Sequence, residues 1–251
     1  MVHKAMIKTR LCRAIFNFPF SIYTEKMSRK VEVFTGAYAS GKSETSINRA
    51  LQHIKRNEPV TLVDLDTVEP AYTLRPLVKA LTERGINVIA QTDYFGLGEA
   101  ASYVTAKQLN CLDEEGDIII DVGYGASGLD VLDIINNIER EENLNIYLVI
   151  NTSKFETSSV ENILEYIEFA SGLEKRDWKK FTGIISNTHF GSETTKEDII
   201  RGYDITKEAA QKVGLPIVAI GVSEELKNEF DSTYDGVEIW FYERLMPNAL
   251  W

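Results

Sequence analysis

Eight residues near the start of the chain, 36–43, constrain this sequence more than any other stretch. Their sequence, GAYASGKS, matches the phosphate-binding pattern G-x-x-x-x-G-K-[ST]. Residues 30–35 (KVEVFT) alternate and are rich in β-forming side chains, whereas residues 44–56 carry apolar side chains at helical spacing. A strand, a glycine-rich loop and a helix in this order are what a phosphate-binding loop requires. The sequence therefore predicts a P-loop, and the alternative is a glycine-rich turn before an ordinary helix.

The residue types in this loop suit a nucleoside triphosphate bound with Mg²⁺. Gly36 and Gly41 allow backbone angles that turn N–H groups inward around an anion. We expect Lys42 to neutralise the β- and γ-phosphate oxygens and Ser43 to offer its hydroxyl to Mg²⁺. The helix start adds unpaired N–H groups and the positive end of its dipole. The residues predicted to line the nucleotide are Gly36, Ala37, Tyr38, Ala39, Ser40, Gly41, Lys42, Ser43 and Glu44.

Charge and cysteine content exclude several classes of partner. The net charge of −11 argues against a broad basic surface for nucleic acid or anionic lipid. The only cysteines, Cys12 and Cys111, lie far apart and form no C-x-x-C or Cys/His cluster, so neither a disulfide framework nor a zinc site is indicated by cysteine spacing. A reducing compartment fits this usage, and we expect a cytoplasmic protein.

Residues 1–29 differ in composition from the rest of the chain. They contain six basic residues and one acidic residue, a net charge of +5, which leaves −16 for the remainder. An apolar stretch, 14–23, follows the basic start, but Asn17 and Pro19 interrupt it and no small-residue cleavage site follows. We expect a poorly ordered extension here. A basic amphipathic arm, or an upstream extension of a reading frame that starts at Met27, are the alternatives.

From residue 30 onwards, predicted strands and helices alternate along the sequence. This alternation predicts one α/β domain, 30–251, with a doubly wound, mostly parallel sheet of seven to eight strands and helices on both faces. The predicted strands are 30–35, 59–64, 86–90, 117–121, 145–150, 181–186 and 216–220. The predicted helices are 44–56, 76–84, 99–112, 129–139, 158–170, 197–213 and a closing helix over 235–245.

Two aspartates follow predicted strands, at the edge where such sheets bind ligands. Asp66 lies just past the second strand and is free to face the γ-phosphate, where it would orient the attacking water or hold Mg²⁺ through a water molecule. Asp121 ends the apolar strand DIIID and has the form of a Walker B aspartate, which would hold Mg²⁺ beside Ser43. The alternative is that Asp64 and Asp66 are both solvated loop or helix-cap carboxylates, whereas an aspartate at a strand end, such as Asp121, is common in itself.

A glycine-rich stretch and two asparagines complete the predicted edge. Residues 123–128 (GYGASG) would form either a loop that senses the γ-phosphate or only a tight turn. Asn151 and Asn187 end the fifth and sixth strands, and an amide suits the edge of a nucleobase, although asparagine also favours turns. The guanine-reading pattern N-K-x-D is absent after Asn187, which favours adenine.

The sequence resembles the MinD/ParA/CobQ group of P-loop ATPases in four features: the P-loop, the D-L-D of residues 64–66, the strand ending in Asp121 and the later strands that end in asparagine. That group belongs to a larger class with nitrogenase iron protein-like and signal-recognition-type NTPases. The resemblance covers roughly residues 30–230. It implies Mg-ATP at the carboxyl edge of the sheet, Asp66 acting in hydrolysis, Asp121 as the Walker B residue and Asn187 at the adenine.

The sequence departs from that group at Ala37. Many members carry a second lysine there, which reaches the partner subunit's phosphates in an ATP-dependent homodimer and acts like an arginine finger. Ala37 therefore predicts slow hydrolysis or another activator. The group's basic amphipathic membrane helix is not evident near the C-terminus, so the sequence predicts no clear membrane anchor.

Three functions are compatible with these residues. The first is a Mg-ATP hydrolase that switches its shape or its partners, with an unidentified client. The second is a small-molecule kinase or ATP-dependent ligase, whose acceptor pocket residues 91–99 would line. The third is an ATP-binding regulator with negligible turnover, which Ala37 makes plausible.

Overall fold

The structure, a computed structural model, describes residues 29–68, 73–92 and 103–246. Its strands are β1 (Val31–Gly36), β2 (Val60–Leu65), β3 (Asn87–Ile89), β4 (Asp117–Val122), β5 (Leu144–Ile150), β6 (Gly183–Ser186), β7 (Ile217–Ser223), β8 (Thr233–Tyr234) and β9 (Val237–Tyr242). Its α-helices are α1 (Lys42–Lys55), α2 (Val78–Glu83), α3 (Ala106–Leu109), α4 (Gly125–Asp130), α5 (Val160–Ala170) and α6 (Lys196–Val213). Most of the predicted extension, 1–29, lies outside the described residues.

The nine strands form one sheet in the order β3-β2-β4-β1-β5-β6-β7-β9-β8. Every neighbouring pair is parallel except β8 and β9, which are antiparallel. The predicted single, mostly parallel α/β sheet is therefore confirmed, with nine strands in the described ranges. Because the strands around β1 are parallel, their carboxyl ends share one edge of the sheet, and the loops there form the candidate site.

The central strands are buried on both faces, as their apolar runs predict. Successive side chains alternate between two core layers. One layer contains Phe34, Leu62 and Ile119 together with Ile47 and Leu51 of α1. The opposite layer contains Val33, Val63 and Ile120 together with Leu129 and Leu132. Burying each such side chain contributes about 1.5–3 kcal/mol, so helices on both faces fix the strand ends from which the site is built.

The predicted closing helix over 235–245 is wrong. This segment forms β9, which pairs with β7 and continues from β8 through a tight turn at Asp235 and Gly236. Both turn residues have positive φ, 51° and 78°, as a two-residue hairpin requires. The sequence VEIWFY of β9 is rich in β-branched and aromatic side chains, and Trp240 and Tyr242 are buried. The hairpin extends the sheet to nine strands.

The predicted helix over 129–139 is also wrong. A short helix, α4, ends at Asp130, and 3₁₀ turns follow at Val131–Ile134 and Ile138–Arg140. Asn137, with φ 65°, interrupts any continuous helix. The predicted glycine loop over 123–128 is instead occupied from Gly125 onward by α4. Of the predicted helix over 99–112, residues 99–102 lie outside the described residues, and the remainder forms only α3 and a 3₁₀ turn at Cys111–Asp113.

The other predicted helices are present, and their ends lie within two residues of the predicted bounds. The helix predicted over 76–84 is α2, preceded by a 3₁₀ turn at Arg75–Leu77, and α6 runs to Val213 before Gly214 closes it with φ 70°. Within the three described ranges, no helix combines the length and apolar character needed to cross a bilayer.

Candidate functional site

The predicted P-loop connects β1 to α1 at the carboxyl edge of the sheet. β1 ends at Gly36, and α1 begins directly after Gly41. Gly41 has φ 84°, a left-handed conformation that other residues resist, and a Cβ there would lie 2.4 Å from the Asn187 amide nitrogen. Ala39 also has a positive φ of 54°. This backbone path places the first N–H groups of a 14-residue helix at the end of the loop.

Lys42 lies in the first turn of α1 and reaches the aspartate after β2. Its Nζ is 3.1 Å from Oδ2 of Asp66, and the two side chains are 10% and 1% exposed. Burial disfavours the ammonium form, but Asp66 and Asp121 together outweigh that effect and raise the pKa of Lys42. The amine therefore stays protonated and carries the charge that phosphate oxygens require.

Asp66 is held in place by a network around Asp64. Oδ1 of Asp64 accepts a hydrogen bond from the Asp66 backbone N–H at 3.0 Å, and Oδ1 of Asp66 accepts one from Val68 N at 3.0 Å. Arg75 donates from Nε to Asp64 Oδ2 at 3.0 Å and from Nη2 to the Asp66 carbonyl at 3.1 Å. The Gln108 amide donates to the Asp64 carbonyl at 2.5 Å. Asp64, Arg75 and Gln108 thus position Asp66.

Sequence reasoning missed Arg75 and Gln108. The only signal in the sequence is Asp64, the first carboxylate of D-L-D, which needs a partner once it is buried. Asp64 is fully buried, and burial raises the pKa of its carboxyl while Arg75 opposes that rise. A buried carboxylate of this kind implies a nearby cation, but it does not say which one.

Asp121 lies on β4 beside β1 and is fully buried. Burial raises the pKa of Asp121 well above its usual range, with Lys42 opposing the rise. The Ser43 hydroxyl also lowers this pKa slightly, yet neither carboxylate oxygen receives a well-formed hydrogen bond from the described part of the chain. Buried polar atoms in this state are expected where a cation or water completes the site. Ser43 and Asp121 therefore fit the hydroxyl and carboxylate set that Mg²⁺ prefers.

The two predicted strand-end asparagines both hold the P-loop. Asn187 donates from its amide nitrogen to the Ser40 carbonyl at 2.8 Å. Its Oδ1 faces Gly221, where a Cβ would lie only 2.3 Å away. Asn151 accepts hydrogen bonds at its Oδ1 from Ser153 N at 3.0 Å and His189 N at 3.2 Å, and its amide nitrogen approaches the Ala39 carbonyl at 3.5 Å. One amide hydrogen of Asn187 is thereby engaged by the loop.

A pocket opens beside Asn187 where β6, β7 and β9 end. It is open to solvent and borders Gly41 of the P-loop. Burial, with Lys154 and Arg244 nearby, lowers the pKa of His189 to about 4, so this imidazole is neutral at pH 7. Among the residues lining the pocket are Gly41, Asn187, His189, Gly221, Glu225 and Arg244.

The remaining predicted loop residues differ in their surroundings. Ala37 is fully buried and packs with Leu148 and Ile150. Tyr38 is 43% exposed and meets Tyr124 edge to face, with 6.1 Å between ring centroids. The Glu44 carboxylate accepts hydrogen bonds from the backbone N–H groups of Leu245 at 2.5 Å and Met246 at 3.1 Å, so it secures the segment after β9.

Several solved structures share this fold. Cell division protein FtsY from Thermotoga maritima is 21% identical, with a TM-score of 0.54 over 82% of this chain and 66% of that one. Signal recognition particle receptor FtsY from Elizabethkingia anophelis is 17% identical, with a TM-score of 0.56 over 84% and 63%. The signal recognition particle 54 kDa protein from Aeropyrum pernix, in complex with GDP, is 20% identical, with a TM-score of 0.50 over 76% and 41%.

These likenesses establish the fold of a P-loop NTPase. The chain spans less than two thirds of the length of each of these three proteins. No family model and no curated protein matches the sequence. The likeness shows the fold alone, and the resemblance to the MinD/ParA/CobQ group and its larger class stays a prediction.

Proposed function

We propose that the protein binds a nucleoside triphosphate with Mg²⁺ at the loop between β1 and α1 and hydrolyses it as a switch of conformation or partners. The observation that carries this proposal is the convergence of Lys42, Asp66 and Asp121 at one edge of the sheet. Lys42 and Asp66 approach to 3.1 Å, and Asp121 is near enough to both for their charges to shift its pKa. Three buried ionisable groups whose charges interact at one edge of a sheet are typical of a functional site.

Each of these residues has a distinct task in this proposal. The loop N–H groups and the Lys42 ammonium would bind the β- and γ-phosphate oxygens. Ser43 and Asp121 would hold Mg²⁺, which supplies charge neutralisation at those oxygens. Asp66, fixed by the Asp64–Arg75 pair, would orient the attacking water on the γ-phosphate side. A carboxylate held this firmly reduces the cost of reaching the reactive geometry.

We infer adenine as the base. In N-K-x-D the lysine and aspartate contact guanine, but here Thr188 and Phe190 occupy those positions. GTP is the second candidate, because the Glu225 carboxylate lines the pocket and would accept hydrogen bonds from guanine N–H groups. The signal recognition particle protein with this fold was solved with GDP, which also supports a test of both nucleotides.

Slow turnover is part of the proposal. Ala37 is buried against Leu148 and Ile150, so the position that carries a second lysine in many MinD/ParA/CobQ members offers no charge to a partner subunit. An ATP-dependent homodimer would therefore need another activating group, or a client protein would supply it. If hydrolysis is negligible, the protein acts as a nucleotide-binding regulator.

Phosphate release without any added acceptor tests the proposal. We expect wild-type protein with Mg-ATP to release phosphate slowly but measurably, and we expect Asp66→Asn to remove most of that release while still binding the nucleotide. Release that starts only when a pool of small metabolites is added would favour a kinase or ligase instead. Tight binding of ATP with no release under either condition would favour the regulator. Faster release from GTP would reassign the base.

A further inference from the structure

A second group of ionisable side chains lies at the opposite edge of the sheet. His53 is in the last turn of α1, Glu58 is in the loop between α1 and β2, and Asp117 begins β4. His53 Nδ1 is 3.0 Å from Glu58 Oε2 and 3.4 Å from Asp117 Oδ2. These three atoms lie within 4.8 Å of one another. The nucleotide site is at the other end of α1, roughly 17 Å away at 1.5 Å per residue.

The imidazole ring of His53 is buried and has no hydrogen-bond partner among the described residues. Its side chain is 2% exposed, and neither ring nitrogen is hydrogen-bonded within the described ranges. The 3.0 Å approach of Glu58 to Nδ1 is therefore not oriented as a hydrogen bond, although the carboxylate is near enough for one. A buried nitrogen without a hydrogen bond indicates that a further group binds to it. Both carboxylates lie beside Nδ1, so that partner would be shared by all three groups.

The spacing of the three atoms suits a tetrahedral metal ion. Zinc binds histidine nitrogen and carboxylate oxygen at about 2.0–2.2 Å, so two ligand atoms of a tetrahedral site lie about 3.3–3.6 Å apart. The observed 3.0 and 3.4 Å from Nδ1 are close to this separation. Glu58 is 38% exposed, so water can reach a fourth coordination position.

The surrounding groups orient the cluster. Asp117 accepts a hydrogen bond at Oδ1 from Lys30 N at 2.8 Å, which leaves Oδ2 for His53. On the other side of the ring, Glu32 Oε2 is 4.0 Å from Nε2, and Arg49 fixes the Glu32 carboxylate with bonds of 2.7 and 2.8 Å. A carboxylate on that side favours the proton on Nε2 and leaves the Nδ1 lone pair facing Glu58 and Asp117.

We propose that His53 Nδ1, Glu58 and Asp117 bind a divalent first-row transition metal, with Zn²⁺ as the best fit. An imidazole ligand argues against Mg²⁺ and Ca²⁺, which prefer all-oxygen sites. The three carboxylates around His53 and the single Arg49 guanidinium leave a net negative environment for the cation. The ion would tie the end of α1 to the start of β4.

Titration of the full chain with Zn²⁺ in nucleotide-free, Mg²⁺-free buffer tests this site by calorimetry. We expect one Zn²⁺ per chain, and Glu58→Gln and Asp117→Asn should each weaken binding by at least about tenfold. The matched control is Glu115→Gln, which removes the same charge two residues from Asp117 on an exposed side chain outside the cluster. This control should bind Zn²⁺ like the wild type.

Imidazole nitrogen NMR identifies the ligand atom. Zn²⁺ should shift the Nδ1 resonance of one histidine, and His53→Gln should remove that signal. Because Glu58 is partly exposed, Glu58→Gln keeps the test decisive even if His53→Gln fails to fold. The proposal is overturned if wild-type protein binds no Zn²⁺, if Glu58→Gln and Asp117→Asn bind it as tightly as the wild type, or if the shifted nitrogen belongs to another histidine.

Discussion

Replacing Arg75 with methionine removes the cation that holds Asp64 and, through it, Asp66. The Asp64 and Arg75 side chains are 0% and 1% exposed, and their contact is 3.0 Å. Removing one partner of a buried ion pair leaves an uncompensated charge, which costs about 3–5 kcal/mol. Methionine fills much of the volume of the arginine stem, so we attribute that loss mainly to the Asp64 carboxylate. We expect Arg75→Met to lower the free energy of unfolding by this amount.

Urea unfolding measures this loss, and the double variant Asp64→Asn/Arg75→Met is its control. The double variant removes both charges, so we expect its free energy of unfolding to lie within about 2 kcal/mol of the wild-type value. Burial raises the pKa of Asp64, and without Arg75 the rise is larger. A group whose folded pKa exceeds its unfolded pKa favours folding more at low pH. The difference in free energy of unfolding between the wild type and Arg75→Met should therefore decrease as pH falls from 7 to 5. A loss below about 1 kcal/mol, or a double variant no more stable than Arg75→Met, would refute the reasoning.

Three further variants probe the candidate site. Asp66→Asn should bind Mg-nucleotide as the wild type does but release phosphate about 10²–10⁴-fold more slowly, because proton transfer or water activation usually contributes this much. An unchanged turnover rate would remove Asp66 from the mechanism. His189 has its pKa lowered to about 4, so stability is lost as pH falls below the ordinary value of about 6.5. Between pH 7 and pH 5 the wild type should therefore lose about 1–2 kcal/mol more than His189→Gln in urea unfolding, and equal losses would contradict this. Gly221→Ala would place a Cβ 2.3 Å from Asn187 Oδ1. Nucleotide affinity measured by calorimetry should therefore fall about tenfold or more, roughly 1.4 kcal/mol. If Gly221→Ala binds nucleotide as tightly as the wild type, Asn187 does not need this space.

Local patterns in the sequence predict most of the sheet because each buried strand is a short apolar run. β1, β2 and β4 begin and end within one residue of their predicted bounds. The prediction of a helix over 235–245 is wrong because a short aromatic and apolar run fits a helix or a strand equally well. Asp235 and Gly236 form a dipeptide typical of hairpin turns, and this pattern favours two strands joined by a tight turn over a helix.

The site is predictable from sequence only where its residues are contiguous. Residues 36–43 carry their own signature because consecutive backbone groups surround a phosphate. The Asp64–Arg75 pair joins residues 11 apart, and the bond from Asn187 to Ser40 joins residues 147 apart. Neither spacing has a local pattern, since the fold alone brings the partners together. The sequence therefore indicated the types of residue at the edge of the sheet but not their contacts.

Equilibrium binding of Mg-ATP and Mg-GTP to wild-type protein and Lys42→Ala tests whether the loop between β1 and α1 binds a nucleotide. We expect the wild type to bind at least one nucleotide saturably at one site, with ATP bound more tightly than GTP, and we expect Lys42→Ala to lose this binding. Lys55→Ala, at the exposed end of the same helix, is the matched control and should bind like the wild type. Micromolar affinity retained by a folded Lys42→Ala protein, or no binding of either nucleotide to the wild type, would contradict the assignment of residues 36–43 as a nucleotide-binding P-loop.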